Sequence, residues 1–168
     1  MAVALLVLGT GLGLETASAE SIIKNINISS TPIGVAFNPS NGYTYATNAD
    51  LGTVSVIDSS TNTVLKNIHV GSHPRGIAFD SDNGNLYVAN EGSYTVSVID
   101  GSTNEIIKDI PVGLQPSAIV FDTNSSNMYV ANQYSKTLSV IDSSTNTVIN
   151  TVPMDERTSI PISVRLSS

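Results

Sequence analysis

A segment of 42 residues recurs in this chain without a gap, and that period limits the available folds more than any other feature. Residues 95–136 match residues 53–94 at 23 of 42 positions, and a third copy opens at Thr137 as TLSVIDSSTNTVIN. Asp58, Asp100 and Asp142 keep the same spacing, as do Pro32, Pro74 and Pro116, and Asn48, Asn90 and Asn132. A fixed period in this range marks an architecture made by stacking one supersecondary unit, in which each copy buries its apolar surface against its neighbours.

Each period contains four runs of five to eight residues rich in Val, Ile, Tyr and Phe, here residues 95–100, 105–112, 117–122 and 127–132. All are bounded by Gly, Pro, Asn, Asp or Ser, which is the signal for short strands and tight turns. Apolar or small residues occupy both parities: Val96 and Val98 oppose Ile99, while Ile119 and Phe121 oppose Ala118 and Val120. A sheet wet on one side would alternate apolar with polar, so these sheets are covered on both faces. Four such strands per repeat predict the blade of a β-propeller, an all-β fold of four-stranded antiparallel sheets. Gly34, Gly76, Ala36, Ala78 and Ala118 place small residues on the innermost strands. Lys108, Asp109 and Pro111 put residues 105–112 at the outer edge, where a missing N–H and charge are tolerated.

The turns 58–62, 100–104 and 142–146 each begin with an Asp able to accept backbone N–H groups and end on an Asn that tolerates left-handed geometry. This predicts a structural role for Asp58, Asp100 and Asp142. One carboxylate per turn falls far short of the six to eight oxygen ligands of calcium.

The ends differ from the repeat. Residues 2–14 are an apolar and glycine run followed by Ala17-Ser18-Ala19, the pattern of a signal peptide over residues 1–19 with Glu20 as the mature start, although its n-region has no Lys or Arg. At thirteen residues the run is short for a membrane span, which takes about 20, so no stable span is expected beyond the signal segment. Residues 21–28 (SIIKNINI) match 105–112 and predict a lone outer strand. Blades follow at 33–70, 75–112 and 117–153, and residues 159–166 (SIPISVRL) alternate like a lone inner strand. The total is fourteen strands, about three and a half blades, an open arc or fragment of a longer ring. Blade three is left with an exposed apolar face, which implies a partner, self-association or an incomplete chain; the last is the expectation here.

The segments Leu86-Tyr87-Val88-Ala89-Asn90 and Met128-Tyr129-Val130-Ala131-Asn132, each followed after four residues by Thr-Val-Ser-Val-Ile-Asp or Thr-Leu-Ser-Val-Ile-Asp, closely resemble the YVTN family of β-propeller repeats. Gly71-Ser72-His73-Pro74-Arg75-Gly76-Ile77-Ala78 is similar to that family's Val-Gly-x-x-Pro-x-Gly-Val-Ala turn and inner strand. The resemblance covers residues 21–150. It implies a ring of about seven blades in an exported, surface-layer-like protein.

Charge and composition narrow the function. The seven basic residues are scattered in a chain of net charge −7, so nucleic acid finds no electrostatic footprint. With no cysteine, thiolate metal sites and disulfides are excluded. Neither a phosphate loop, HExxH, a nucleophile elbow nor a Cys–His pair occurs. His69, His73 and Arg75 form the one irregular, chemically capable cluster; the next blade has Pro111, Gln115 and Ser117 at those positions. They are weak ligand-contact candidates, since two histidines lack the third protein ligand that zinc needs. Glu91 and Asp50 follow their strands alone. Asn27 and Asn124 head glycosylation sequons. The chain is therefore expected to be a noncatalytic, cofactor-free, secreted or cell-surface propeller whose partners are a protein or glycan, or further blades of the same gene product. The alternative is part of a lyase-like propeller enzyme with its catalytic residues in other blades.

Overall fold

The computed structural model describes residues 25–28 and 30–154 and contains twelve strands in three sheets. Blade one comprises β1 (Pro32–Asn38), β2 (Tyr43–Asn48), β3 (Thr53–Asp58) and β4 (Thr63–His69). Blade two comprises β5 (Pro74–Phe79), β6 (Leu86–Asn90), β7 (Thr95–Ile99) and β8 (Ile106–Pro111). Blade three comprises β9 (Pro116–Asp122), β10 (Asn127–Asn132), β11 (Thr137–Asp142) and β12 (Thr147–Pro153). Each sheet is an antiparallel meander with its strands in chain order. The architecture is an open arc of β-propeller blades, as the repeat predicts.

One expectation changes at the N-terminal end. Residues 25–28 lie outside any strand, so the outer strand expected over 21–28 is not formed in its described half. The signal segment, residues 21–24 and the strand expected over 159–166 lie outside the described residues. A 3₁₀ turn at Ala49–Leu51 was not foreseen; it closes on Gly52 in the left-handed region at φ 62°.

Apolar residues on both parities of each strand are explained by the two joints between blades. In the first, Tyr45, Val54, Val56 and Ile68 of blade one meet Ile77, Leu86, Val88 and Ile99 of blade two. In the second, Tyr87, Val96, Val98 and Ile110 of blade two meet Met128, Val130 and Ile141 of blade three. Blade two is thus sandwiched, and β6 and β7 are buried along nearly their whole length. Each side chain fully removed from water contributes about 1.5–3 kcal/mol, so these joints dominate the stability of the arc.

The innermost strands β1, β5 and β9 lie side by side, and their small residues have a steric cause. A Cβ on Gly34 would sit 2.2 Å from the Arg75 carbonyl oxygen, and one on Gly76 would sit 2.8 Å from that of Ser117. The outermost strands are exposed, β12 along its full length. Lys66 reaches across the first joint to the Asn104 carbonyl and Glu105, and Lys108 reaches the Asn146 carbonyl across the second. Asp109 is more than an edge charge, for it accepts a hydrogen bond from the Ser97 hydroxyl at 2.6 Å.

The Asp-initiated turns form as expected. The Asp58 carboxylate accepts from the Ser60 N–H and hydroxyl at 2.8 and 2.6 Å, and Asp100 and Asp142 repeat the bonds with Ser102 and Ser144. The closing residues Asn62, Asn104 and Asn146 have φ of 54°, 59° and 54°. Asn104 and Asn146 also join the blades, a role the repeat alone did not disclose. The Tyr45 hydroxyl donates to Asn104 Oδ1 at 2.6 Å, while Asn41 Nδ2 donates to that hydroxyl and to the Gly101 carbonyl. One repeat on, Tyr87 donates to Asn146 Oδ1 at 2.7 Å with Asn83 in the place of Asn41. Burial pushes both tyrosines above their ordinary pKa and keeps them neutral donors.

Two outcomes follow. Tyr87→Phe leaves Asn146 Oδ1 without its donor and is expected to cost about 1 kcal/mol, read as a lower urea midpoint at unchanged m-value; Tyr134→Phe, at an outward side chain 70% exposed, is the neutral control. The hydroxyls of Ser60, Ser102 and Ser144 hold Asp58, Asp100 and Asp142 below the usual carboxylate range. A depressed folded-state pKa gives stability that is present above the unfolded value and lost as pH falls through the folded one. Melting temperature should therefore be flat near neutrality and fall below about pH 4, and Asp100→Asn should flatten that acid limb in thermal melts across pH.

Candidate functional site

Connections at one rim of the arc bring together most of the chemically capable side chains. This rim is built from residues 70–73 and 112–115, which lead into the inner strands, and from the turns after β2, β6 and β10. Backbone bonds lock the two sets together: Glu91 N–H donates to the His73 carbonyl at 3.0 Å and Gly92 N–H to that of Ser72 at 2.9 Å. Gln133 N–H repeats the bond to Gln115 at 2.9 Å. His73 and Gln115 sit at φ 50° and 55°, the left-handed bend that turns the chain into the inner strand.

Beneath this rim lies a buried polar ladder. Asn48, at the end of β2, donates from Nδ2 to the Thr53 and Ser55 hydroxyls at 3.0 and 2.9 Å. Asn90 pairs likewise with Thr95 and Ser97, and Asn132 with Thr137 and Ser139. A Cβ on Gly71 or Gly113 would stand 2.7 Å from the Asn90 or Asn132 side chain, so those glycines let the crossing turn lie against the asparagine. The repeated Val-Gly-x-x-Pro and Asn-x₄-Thr-x-Ser patterns are thus two sides of one contact.

Arg75 stands at the mouth of β5 and is not a free anion-binding charge. Its Nε pairs with Glu91 Oε2, because the register that sets Pro74 opposite Asn90 brings their neighbours together across the β5–β6 end. Glu91 is correspondingly not alone, and Asp50 accepts from the Thr31 hydroxyl. The cross-strand pairing was readable only once the strand register was known; the signal is a separation of sixteen residues straddling a hairpin.

His69 ends β4 and His73 lies in the crossing turn, both exposed. They line one shallow open groove with Asp50, Leu51 and Ser72, and His73 Nδ1 hydrogen-bonds the Ser72 hydroxyl at 2.8 Å. Among the described residues no three His, Cys, Asp or Glu side chains gather as a metal site. The groove therefore offers two imidazoles and a carboxylate to a polar surface rather than a closed coordination sphere. Asn27 is exposed, with the Ser29 of its sequon outside the described residues. Asn124 is exposed in the turn after β9, where its N–H donates to Asp122 Oδ1 at 3.0 Å. No helix among the described residues is long and apolar enough to cross a membrane.

The arc has solved counterparts. A structure of Kuenenia stuttgartiensis hydrazine synthase is similar at 27% identity and a TM-score of 0.67, over 74% of this chain and 37% of that one. The WD40 repeats of RRP9 align at 13% identity and a TM-score of 0.66, over 76% and 40%. Dihydro-heme d1 dehydrogenase NirN in complex with DHE aligns at 13% and 0.66, over 80% and 30%. The last two share the fold alone, and the chain spans less than half the length of each of these proteins. No curated protein matches it by sequence. The choice-of-anchor I domain matches residues 10–103, more than half of the chain and all of blade one, so this propeller-repeat protein belongs to the choice-of-anchor I domain family.

Proposed function

We propose that this chain is an exported, noncatalytic propeller module held at the cell surface, presenting its blade rims to a protein or glycan. The match to a choice-of-anchor domain across residues 10–103 carries the reading. The YVTN-like motifs and the leader-like residues 1–19 agree with it. So does the chemistry of the blades: the recurring carboxylates serve turns, the recurring asparagines serve the polar ladder, and Arg75 is taken by Glu91. What remains outward is a repetitive polar rim of Ser, Thr and Asn, suited to many weak contacts with another polar surface.

The likeness to hydrazine synthase favours a second reading, in which the arc is the propeller portion of a larger enzyme whose reacting groups lie in other blades.

The deciding experiment is surface labelling of intact producing cells with an antibody to the arc, combined with N-terminal sequencing of the native protein. Labelling without permeabilisation and a mature start at Glu20 are expected. A protein shielded inside the cell and retaining Met1 overturns the surface reading.

A further inference from the structure

The two joints inside the arc differ at the rim opposite the crossing turns, where the first of them is left open. A cleft of about 240 Å³ lies there between blades one and two, with Asn38, Ser40, Gly84, Asp100 and Gly101 in its walls. We propose that this cleft binds one ring of a neutral sugar. The proposal rests on the glycan branch of the function given above and assigns it a site.

Comparison of the two joints shows why the cleft exists. One repeat on, between blades two and three, the Ser126 hydroxyl donates to Asp82 Oδ2 at 2.6 Å. The Ser143 hydroxyl donates to the Ser126 carbonyl at 2.9 Å, and the turns are bridged. In the first joint the residues equivalent to Ser126, Asp82 and Ser143 are Gly84, Ser40 and Gly101. Two of these have no side chain with which to bridge, and among the described residues the Ser40 hydroxyl makes no bond across. The walls are fixed all the same. A Cβ on Gly101 would stand 2.1 Å from the Gly84 carbonyl oxygen, so the two turns of blade two lie close together. Asn41 of blade one donates from Nδ2 to the Gly101 carbonyl at 2.7 Å and ties that turn across the joint. Both ends of the described chain lie at the other rim, where Pro32 pairs with Asn48 and Pro153 with Thr137.

The chemistry of the walls selects the ligand. Asp100 uses Oδ1 for its own turn, and among the described residues its Oδ2 and the Gly84 carbonyl accept no hydrogen bond. Asn38 is 1% exposed. Its Oδ1 accepts from the Ser40 N–H at 2.9 Å, which sets Nδ2 at the floor beside Gly101. Two acceptors, an amide donor and a hydroxyl therefore share one small space. Sugar hydroxyls both donate and accept, and a ring carrying several of them satisfies such a mixed set. The volume is below the roughly 300–1,000 Å³ of sites for drug-sized ligands, which limits the occupant to one ring. No basic side chain lines the cleft, so a phosphate or carboxylate finds no counter-charge there. Neither an aromatic nor a large aliphatic side chain offers an apolar ligand a wall. A single carboxylate is too few for calcium, which takes six to eight oxygens.

The test is amide-resolved NMR of the full chain titrated with the methyl glycosides of glucose, galactose, mannose and N-acetylglucosamine. At least one should give saturable shifts confined to the amides around Ser40, Gly84, Gly101 and Ser102, with a Kd of about 1 mM. A variant carrying Gly84→Ser and Ser40→Asp rebuilds the bridge of the second joint. A Cβ on Gly84 meets nothing within 4 Å, and Ser126 already takes the left-handed backbone at φ 54°, so the variant is expected to fold. Its unchanged shifts away from the cleft report that folding, and its affinity should fall about tenfold or more. Calcium chloride alone should leave the same amides unmoved. Absence of any saturable shift overturns the proposal, as does equal affinity in the bridged variant or calcium reproducing the shifts. Shifts that map to another face overturn the cleft and leave the glycan reading standing; surface labelling of cells is independent of all these outcomes.

Discussion

The joint between consecutive sheets depends on a buried tyrosine hydroxyl finding an asparagine on the next blade. The apolar side chains around Tyr45 and Tyr87 supply most of the free energy of stacking, but that attraction is not directional and would allow one sheet to slide over another. The hydroxyl prevents this. Left without an acceptor it costs about 1–3 kcal/mol, and the acceptor exists only where Asn104 or Asn146 takes the left-handed bend that ends its turn. That bend depends in turn on Asp100 or Asp142 holding the start of the loop through backbone and serine donors. Turn conformation, blade register and core packing are therefore one coupled device, repeated at each joint.

Much of this was legible in the residues. Period and strand pattern specify blades, both-sided apolar strands specify stacking, and the Asp-to-Asn turns form with the predicted hydrogen bonds. Gly34 and Gly76 were assigned to crowding at the inner edge, where an added Cβ would meet backbone carbonyl oxygen. The partners across joints were not legible. Tyr45 and Asn104 are 59 residues apart and belong to different sheets, so neither period nor alternation links them. The same holds for Gly71 against Asn90. A repeat shows which positions are equivalent; which equivalent positions touch depends on how the blades are stacked.

The rim shows the converse. His69, His73 and Arg75 stand out in the sequence because they break the repeat, and the fold gathers them at one rim. Arg75 is neutralised by Glu91 across a strand pair, and the histidines share an open groove with Asp50 without a closed ligand set. Residues that keep the repeat do more: the asparagines at 48, 90 and 132 hold the following strand, and those at 90 and 132 also lie against the preceding crossing turn. Departure from a consensus is a weak sign of chemistry in a fold whose stability rests on the consensus.

A translational repeat has a further consequence for where the arc ends. When successive units bind through one heterologous joint, every unit carries both halves of that joint, and so do the first and last. Capping such an end takes substitutions that make its outer face polar. Val35, Phe37 and Val120 have not been so substituted and remain apolar in the open. Each keeps the apolar character with which its equivalents Ile77, Phe79 and Ala78 pack in the internal joints.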